Sequence, residues 1–442
     1  MSIFQNDTQG ETGWPVAGQL RSNRAVGKTE PLDKRVRSAE TLLASAPLSK
    51  SAAHASQAFL GLHRYLQQQQ YRGYEFDDFL ASPVARLLSL DSLFLQRVAV
   101  QVGEILPLNV RPLLGIRKLE STKARGFFAK GYLYRFLATG DESWLSAAVA
   151  CLDWLLKNSS QRYPGASWGN AFDFASRGGL TPKDRPTIVW TAHIAEAFDL
   201  AYVVTKKPEY LNALEQSARF IISALERHED DRGVCLAYAP GSSVLVFNSN
   251  LLGAATLLRW WHYSQDSACF DLARRAVSWT LPQINPDGSW YYGAGAQYRW
   301  IDNFHTAYNI DCLVAAHDLA GENLVPEVLI DRSYSFWTDS FFLQDGTPKY
   351  YHSRTYPLDI QCAAQAIETL SKLRGRFASA GPLADKVLIW TLSHMQKKNG
   401  AFRYQIWRFW KNNLEAIHWG QSTMLAALGA YLYSLPADAQ KS

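Results

Sequence analysis

The amino-acid sequence predicts an all-α protein built as an (α/α)6 barrel, a ring of six helical hairpins. Three observations carry that expectation. From Ala53 onward apolar residues recur at three- and four-residue spacing, as in Leu211, Leu214, Ala218, Ile221 and Leu225, while strand-like alternation is scarce. A loop that sets glycine beside aromatics returns as DRGVCLAY, DGSWYY, DGTPKYY and NGAFRY, with glycines at 233, 288, 346 and 400, in steps of 55, 58 and 54 residues. The last helical stretch, HWGQSTMLAALGAYLYSL, is apolar around most of its circumference, which suits a closed ring better than the polar cap of an open solenoid.

Taken in chain order, residues 1–50 are polar and aperiodic and are expected to form a flexible arm. The barrel is expected over 51–436 and a short tail over 437–442. Outer helices are predicted over 53–70, 142–157, 208–226, 267–282, 327–343 and 382–396. Their inner partners are predicted to start near Lys123, Pro186, Asn248, Asn303, Leu358 and Glu415. The inner set carries paired small residues, Ala254-Ala255, Ala315-Ala316, Ala363-Ala364 and Ala426-Ala427, as helices crowded around one axis require.

Composition narrows the function. Among 442 residues, 45 Lys+Arg stand against 40 Asp+Glu, a formal charge of +5, and 47% are hydrophobic against 19% charged. That balance supports a large core and excludes a disordered or supercharged chain. The 15 Trp, 21 Tyr and 21 Phe far outnumber three Met, an excess suited to interior packing or to stacking on sugar rings. Basic residues are scattered, so no nucleic-acid partner is expected. Apolar runs such as Leu251 to Trp261 are interrupted by Arg259 and fall short of the ~18 residues of a membrane span. The N-terminus has no basic patch followed by an apolar segment, and a cytoplasmic protein is expected. Cysteines 151, 235, 269, 312 and 362 are odd in number and form no CxxC pair, which predicts reduced, buried thiols and no zinc knuckle.

In a barrel of this kind the loops before the inner helices face one mouth, and the polar residues gather there. Trp168, Asn170 and Asp173 lie in WGNAFDFASR, His193 in WTAH, Asn248 and Asn250 in NSN, and Trp290 and Tyr292 in DGSWYY. Asp302, Asn303, His305 and Tyr308 lie in RWIDNFHTAYN. Tyr351, His352, Arg354 and Asp359 follow in KYYHSRTYPLD, and Glu415, His418, Trp419 and Gln421 in EAIHWGQ. Aromatic faces for stacking and amides for hydroxyls together predict a carbohydrate groove. His193, His305 and His418 mark alternate hairpins, 112 and 113 residues apart, as acid/base or substrate-contact candidates, or else as local caps. Metal ligands must converge to ~2 Å from the ion, so histidines on alternate hairpins predict no metal site. No phosphate-cradling glycine loop is present, and no organic cofactor is expected.

Three stretches resemble a known family. YRGYEFDDFL (71–80), NVRPLLGI (109–116) and KARGFFAKGY (123–132) are similar to the bacterial polysaccharide-biosynthesis family often labelled VpsJ. Gly73, Tyr74, Asp78, Leu80, Asn109, Arg111, Pro112, Leu113, Leu114, Gly115 and Lys123 match its pattern. Glu75, Phe76, Asp77 and Phe79 depart from it, replacing turn-forming Pro and Gly. The resemblance spans about 53–435 and implies the α/α toroid and an exopolysaccharide context, with no settled reaction. HTAYN (305–309) also resembles a His-Thr-Thr stretch in the helical domain of glucuronyl 5-epimerases.

The expected function is therefore a carbohydrate-active enzyme of exopolysaccharide assembly, acting on an acidic oligo- or polysaccharide or a lipid-linked repeat, with peripheral association to a membrane complex compatible with it. The expected chemistry is proton abstraction beside a uronate carboxylate, giving epimerisation or β-elimination. His305 or Tyr292 is the expected base, Tyr351 or His352 the acid, and Arg354, Asn248 or Asn303 the carboxylate clamp. Asp302, which can also cap its helix, Asp173, Asp359 and Glu415 offer the paired carboxylates of a glycoside hydrolase as an alternative. A non-catalytic glycan-binding assembly factor is the third possibility.

Overall fold

The computed structural model describes residues 50–90 and 92–436; of the arm predicted over 1–50, Lys50 instead opens the first helix, and residues 1–49 and the tail over 437–442 lie outside the described residues. In chain order the helices are α1 (Lys50–Gln68), α2 (Pro83–Ser89), α3 (Leu93–Ile105), α4 (Thr122–Thr139), α5 (Glu142–Lys157), α6 (Ile188–Thr205) and α7 (Pro208–Ala224). They continue as α8 (Phe247–Ser264), α9 (Ser267–Thr280), α10 (Asn303–Ala320), α11 (Glu327–Phe341), α12 (Ile360–Lys372), α13 (Ala380–Met395) and α14 (Thr423–Tyr433). Helices α4, α6, α8, α10, α12 and α14 form the inner ring, each packed on the next, and α14 returns to α4. The outer ring is α1, α5, α7, α9, α11 and α13, with α1 against both α13 and α14. The chain is an (α/α)6 barrel.

Closeness explains the glycine repeat. Gly233, Gly288, Gly346 and Gly400 all have positive φ, and a Cβ on any of them would meet backbone of the following outer helix at under 3.0 Å. The contacts are Gly233 on Arg275, Gly288 on Arg332 and Gly346 on Lys386. Gly400 lies on Gly61 of α1, so the repeat itself closes the ring. Gly165 makes the same contact with Gln216 and Phe220 and is a fifth member that its different sequence surroundings conceal. Only a residue without Cβ fits both the approach and the backbone angle.

The inner helices are buried on nearly all sides, which is why α6 is mostly apolar, with His193, Glu196 and Asp199 among its polar exceptions: it is long and apolar enough to cross a membrane, yet most of it is buried inside the ring. The five cysteines are free and buried. Strands are confined to short antiparallel pairings in the hairpin loops, β1 (Phe174–Ser176) with β2 (Gly179–Thr181), β3 (Arg227–Asp230) with β4 (Gly233–Leu236), and β6 (Gln405–Ile406) between β5 (Leu358–Asp359) and β7 (Lys411–Asn412). Helices α2 and α3 were not anticipated. They form a pair between the first outer and first inner helix, over the turn at 78–81, and α3 also packs on β1.

Candidate active site at the mouth of the barrel

The N-termini of the inner helices converge on one mouth. Four are capped by a side chain, from Ser121, Thr187, Asp302 and Asp359. At α10 the cap does more than end a helix. Asp302 Oδ1 accepts from the His305 backbone N–H at 3.0 Å, while Oδ2 lies 2.7 Å from His305 Nδ1 and accepts from Trp300 Nε1 at 2.9 Å. The Asp302 side chain is 1% exposed and that of His305 20%. A buried carboxylate thus fixes one ring nitrogen, leaving the other edge of an accessible imidazole for substrate. Tyr292 lies 4.7 Å from the His305 ring centroid and stacks on Trp300 at 4.4 Å. Tyr351 pairs its backbone with Asp302 and carries Arg354 over its ring at 4.4 Å, and Arg177 stands over Trp300 at 5.4 Å. Burial pushes the phenols of Tyr292 and Tyr351 up, which corrects the expectation of Tyr292 as a base: both are neutral donors.

Across the mouth lies a second group that the sequence did not single out as a site. Glu75, Asp77 and Asp78, in the loop after α1, are 3%, 4% and 2% exposed. Arg111 ties the loop down: its Nε donates to Asp78 Oδ1 at 2.6 Å and to Glu75 O at 2.9 Å, and Nη2 to Phe76 O at 2.9 Å. Two of the family-like stretches therefore meet in one buried ion pair. His418, in a π-helical segment (Ile417–Ser422) that opens the last inner helix, donates its backbone N–H to Glu75 Oε1 at 2.7 Å. Its Nδ1 lies 2.9 Å from the same oxygen in a direction that makes no hydrogen bond. Such π segments recur at functional sites.

Lys123, the second residue of α4, extends its ammonium among Trp190 at 4.9 Å, Phe127 at 5.8 Å and Trp419 at 5.8 Å. Desolvation lowers this lysine to about 8, opposed by Asp77 and Glu75. Desolvation also lifts Glu75 to about 8 and Asp77 to about 7, and holds His418 down at about 3. Glu75 Oε2, Asp77 Oδ1, Trp190 Nε1, Asn248 Oδ1, Asn309 Oδ1, Gln361 Oε1 and both nitrogens of His193 have no hydrogen-bond partner among the described residues. Buried polar atoms left unpaired cost ~1–3 kcal/mol each, so those at the mouth suit a polar ligand, whereas His193 also lines a cavity toward the other end of the inner helices. Glu75, Asp77 and His418 are also the buried residues able to hold a cation, with ligand atoms within 4.8 Å of one another. The two groups are joined through aromatics: Phe304 touches His305 at 4.0 Å and Trp419 at 5.2 Å, and Trp419 lies 4.7 Å from Phe76.

The three histidines differ in setting. His305 is one-fifth exposed, His418 is buried against Glu75, and His193 is buried between Phe127 at 5.1 Å and Tyr308 at 4.8 Å, with burial holding its imidazole neutral. Tyr308 accepts from Gln361 Nε2 at 2.7 Å. Asp359 accepts from Gln361 N, Gln405 Nε2 and Trp419 Nε1, so it positions Trp419, and burial raises it to about 6.

Other expected site residues belong to the scaffold. Asn250 holds Leu236, Val234, Ala276 and Thr280, Gln421 makes both amide bonds to the Phe402 backbone, and Asn303 is shared between Lys349 O and Trp337 Nε1. An amide that bridges helices looks, in sequence, like one offered to a sugar. Trp168 donates to Leu155 O and Trp290 to Ser333, both within the core, and Asn170 caps its own loop at Ala171 N. His352 turns toward Phe336 and Phe341 of the outer layer, which removes it as the acid. Asp173 is held by Arg86 at 2.6 Å and Glu415 by Lys397 at 2.5 Å and Tyr65 at 2.7 Å.

No protein-family model and no curated protein matches the chain. Solved structures are similar in fold. Cellobiose 2-epimerase from Bacillus thermoamylovorans superposes with a TM-score of 0.57 at 12% identity, over 71% of this chain and 87% of its own. An unsaturated glucuronyl hydrolase specific for heparin gives 0.54 at 13%, over 86% and 96%. The GH76 α-mannanase BT2949 of Bacteroides thetaiotaomicron gives 0.53 at 12%, over 70% and 85%.

Proposed function

We propose that this protein is a carbohydrate-active enzyme that transfers protons on a sugar held at the barrel mouth, with His305 as the base. The observation that carries the reading is the Asp302–His305 pair, a buried carboxylate fixing Nδ1 of an imidazole whose other edge is accessible. The fold shared with sugar epimerases and hydrolases is consistent with it. Proton abstraction beside a uronate carboxylate, ending in epimerisation or β-elimination, needs a base, a donor and a cation for the carboxylate. His305, the neutral phenols of Tyr292 and Tyr351, and Arg354 with Arg177 supply those types on one side of the mouth. The unpaired atoms of Glu75, Asp77, Asn248 and Trp190 supply hydroxyl contacts on the other. An exopolysaccharide substrate is read from the resemblance of 71–132 to a polysaccharide-biosynthesis family alone, a resemblance that no matching family model accompanies.

One observation favours a second reading. Asp77 keeps an unpaired oxygen and is lifted to about 7, the behaviour of a general acid in glycoside hydrolysis. A product assay on uronate-containing exopolysaccharides in deuterated water separates the two. Ultraviolet-absorbing unsaturation identifies β-elimination, and deuterium at carbon 5 identifies epimerisation. New reducing ends with neither would overturn the proton-abstraction reading in favour of hydrolysis.

A further inference from the structure

Twelve of the 20 large apolar side chains exposed on the described chain fall between Val84 and Leu113. On α3 they form a stripe at helical spacing, Phe94, Val98, Val102 and Ile105, exposed 70%, 39%, 41% and 49%. Leu87, Leu88 and Leu90 continue it along the end of α2 at 75%, 70% and 77%. The tip of the β6–β7 hairpin joins the same face. Phe409 is 83% exposed, and Asn412 fastens the hairpin to α3 through a bond from Nδ2 to Glu104 O at 3.0 Å. A soluble surface seldom leaves so many large apolar groups together without a partner.

Charge identifies that partner. Arg97 on α3 and Arg408 and Lys411 on the hairpin border the face; Arg86 also lies there, paired with Asp173. Residues 83–118 carry five Lys and Arg against two carboxylates, Asp91 and Glu104, of which Glu104 is half-buried and raised to about 7 by desolvation and then by the charge of Asp359. A second copy would bring one basic rim against another. Residues 1–49 carry six Lys and Arg with five Asp and Glu, and so offer the rim no acidic complement. An apolar stripe with a cationic border matches an anionic lipid surface, where apolar side chains enter the acyl boundary and the cations meet headgroups.

We infer that the α2–α3 pair and the 405–412 hairpin dock this protein on an anionic bilayer. The inner side of the same pair covers the acid group of the mouth: Gly103 of α3 packs against Phe79, over whose ring Arg111 stands at 5.1 Å. Docking therefore brings the mouth to the lipid interface and selects a lipid-linked sugar over a free one. This second step rests on reading the mouth as the sugar site; the docking does not.

The test is co-sedimentation of the full chain with vesicles of phosphatidylcholine alone or with an equal part of phosphatidylglycerol. Wild type is expected to sediment with the anionic vesicles, and high salt is expected to weaken binding. Phe94→Glu with Leu88→Glu should reduce binding at least roughly tenfold. Val328→Glu, at an exposed apolar site on α11, should leave it unchanged, and circular dichroism establishes that each variant is folded. Wild type left in the supernatant, a double variant that binds undiminished, or a dimer in light scattering that dissociates in the double variant would each overturn docking. His305→Ala should bind vesicles like wild type, so failure of the catalytic reading leaves vesicle binding standing.

Discussion

The two ends of the barrel axis bury the same kinds of charge in opposite ways. Toward the C-terminal ends of the inner helices, a cavity of about 370 Å³ is lined by Lys130, Glu196, Arg259, Asp311, Glu368 and Lys372 among others. Lys130 Nζ donates to Glu196 at 2.8 Å and to Glu368 at 2.7 Å, and Lys372 reaches Glu368 at 2.8 Å and Glu196 at 3.2 Å. Glu196 and Glu368 remain charged because these lysines outweigh their burial. At the mouth, Glu75 and Asp77 are about as buried as Glu368 and more buried than Glu196, and there burial dominates and their carboxyls rise instead. Paired charges tie the helices together, while Glu75 Oε2 and Asp77 Oδ1 at the mouth, like Asp311 Oδ1 at the cavity end, have no hydrogen-bond partner. The residue types alone do not separate the two, and partners do.

The sharpest way to break this comparison is to unpair the paired end. Lys130→Met leaves Lys372 as the one lysine shared by Glu196 and Glu368 and should cost ~3 kcal/mol of stability, read from urea unfolding. A loss below ~1 kcal/mol would mean that the network is hydrated and does not hold the helices.

Asp77→Asn should have the contrary sign. A carboxyl raised from 3.8 to about 7 contributes stability that is complete below pH 4 and is lost as pH rises through 7. Wild-type stability should therefore fall between pH 4 and pH 8 by on the order of 2 kcal/mol more than that of Asp77→Asn. Parallel pH profiles would show that Asp77 is satisfied.

The smallest effect belongs to the rim. Asp173→Asn removes one ion pair whose arginine is 64% exposed, and should change the unfolding free energy by ~1 kcal/mol or less with turnover unaffected. A large loss of turnover would return Asp173 to the site.

Much of the ring was legible because helical periodicity and the glycine repeat are local signals. Gly288 and Gly346 show why the period is loose: each must meet the next outer helix, whereas the loop around it is free to vary in length. The α2–α3 pair escaped notice because its apolar face is exposed and breaks the inside-outside pattern from which helices are read. At the mouth, Asp302 and His305 were visible as neighbours on one helix turn. Glu75, Asp77 and Lys123 were not, since their partners come from segments far apart in sequence. The signal that points to them is three carboxylates among aromatics in YRGYEFDDFL, with Arg111 available to hold one.

The contrast between the ends is tested most directly by turnover and unfolding midpoint measured together on His305→Ala and Lys130→Met. His305→Ala is expected to lose ~10²-fold or more in turnover with its midpoint nearly unchanged, while Lys130→Met loses its midpoint first. A His305→Ala protein that turns over sugar at the wild-type rate, or that unfolds as Lys130→Met does, would contradict the assignment of the chemistry to the mouth.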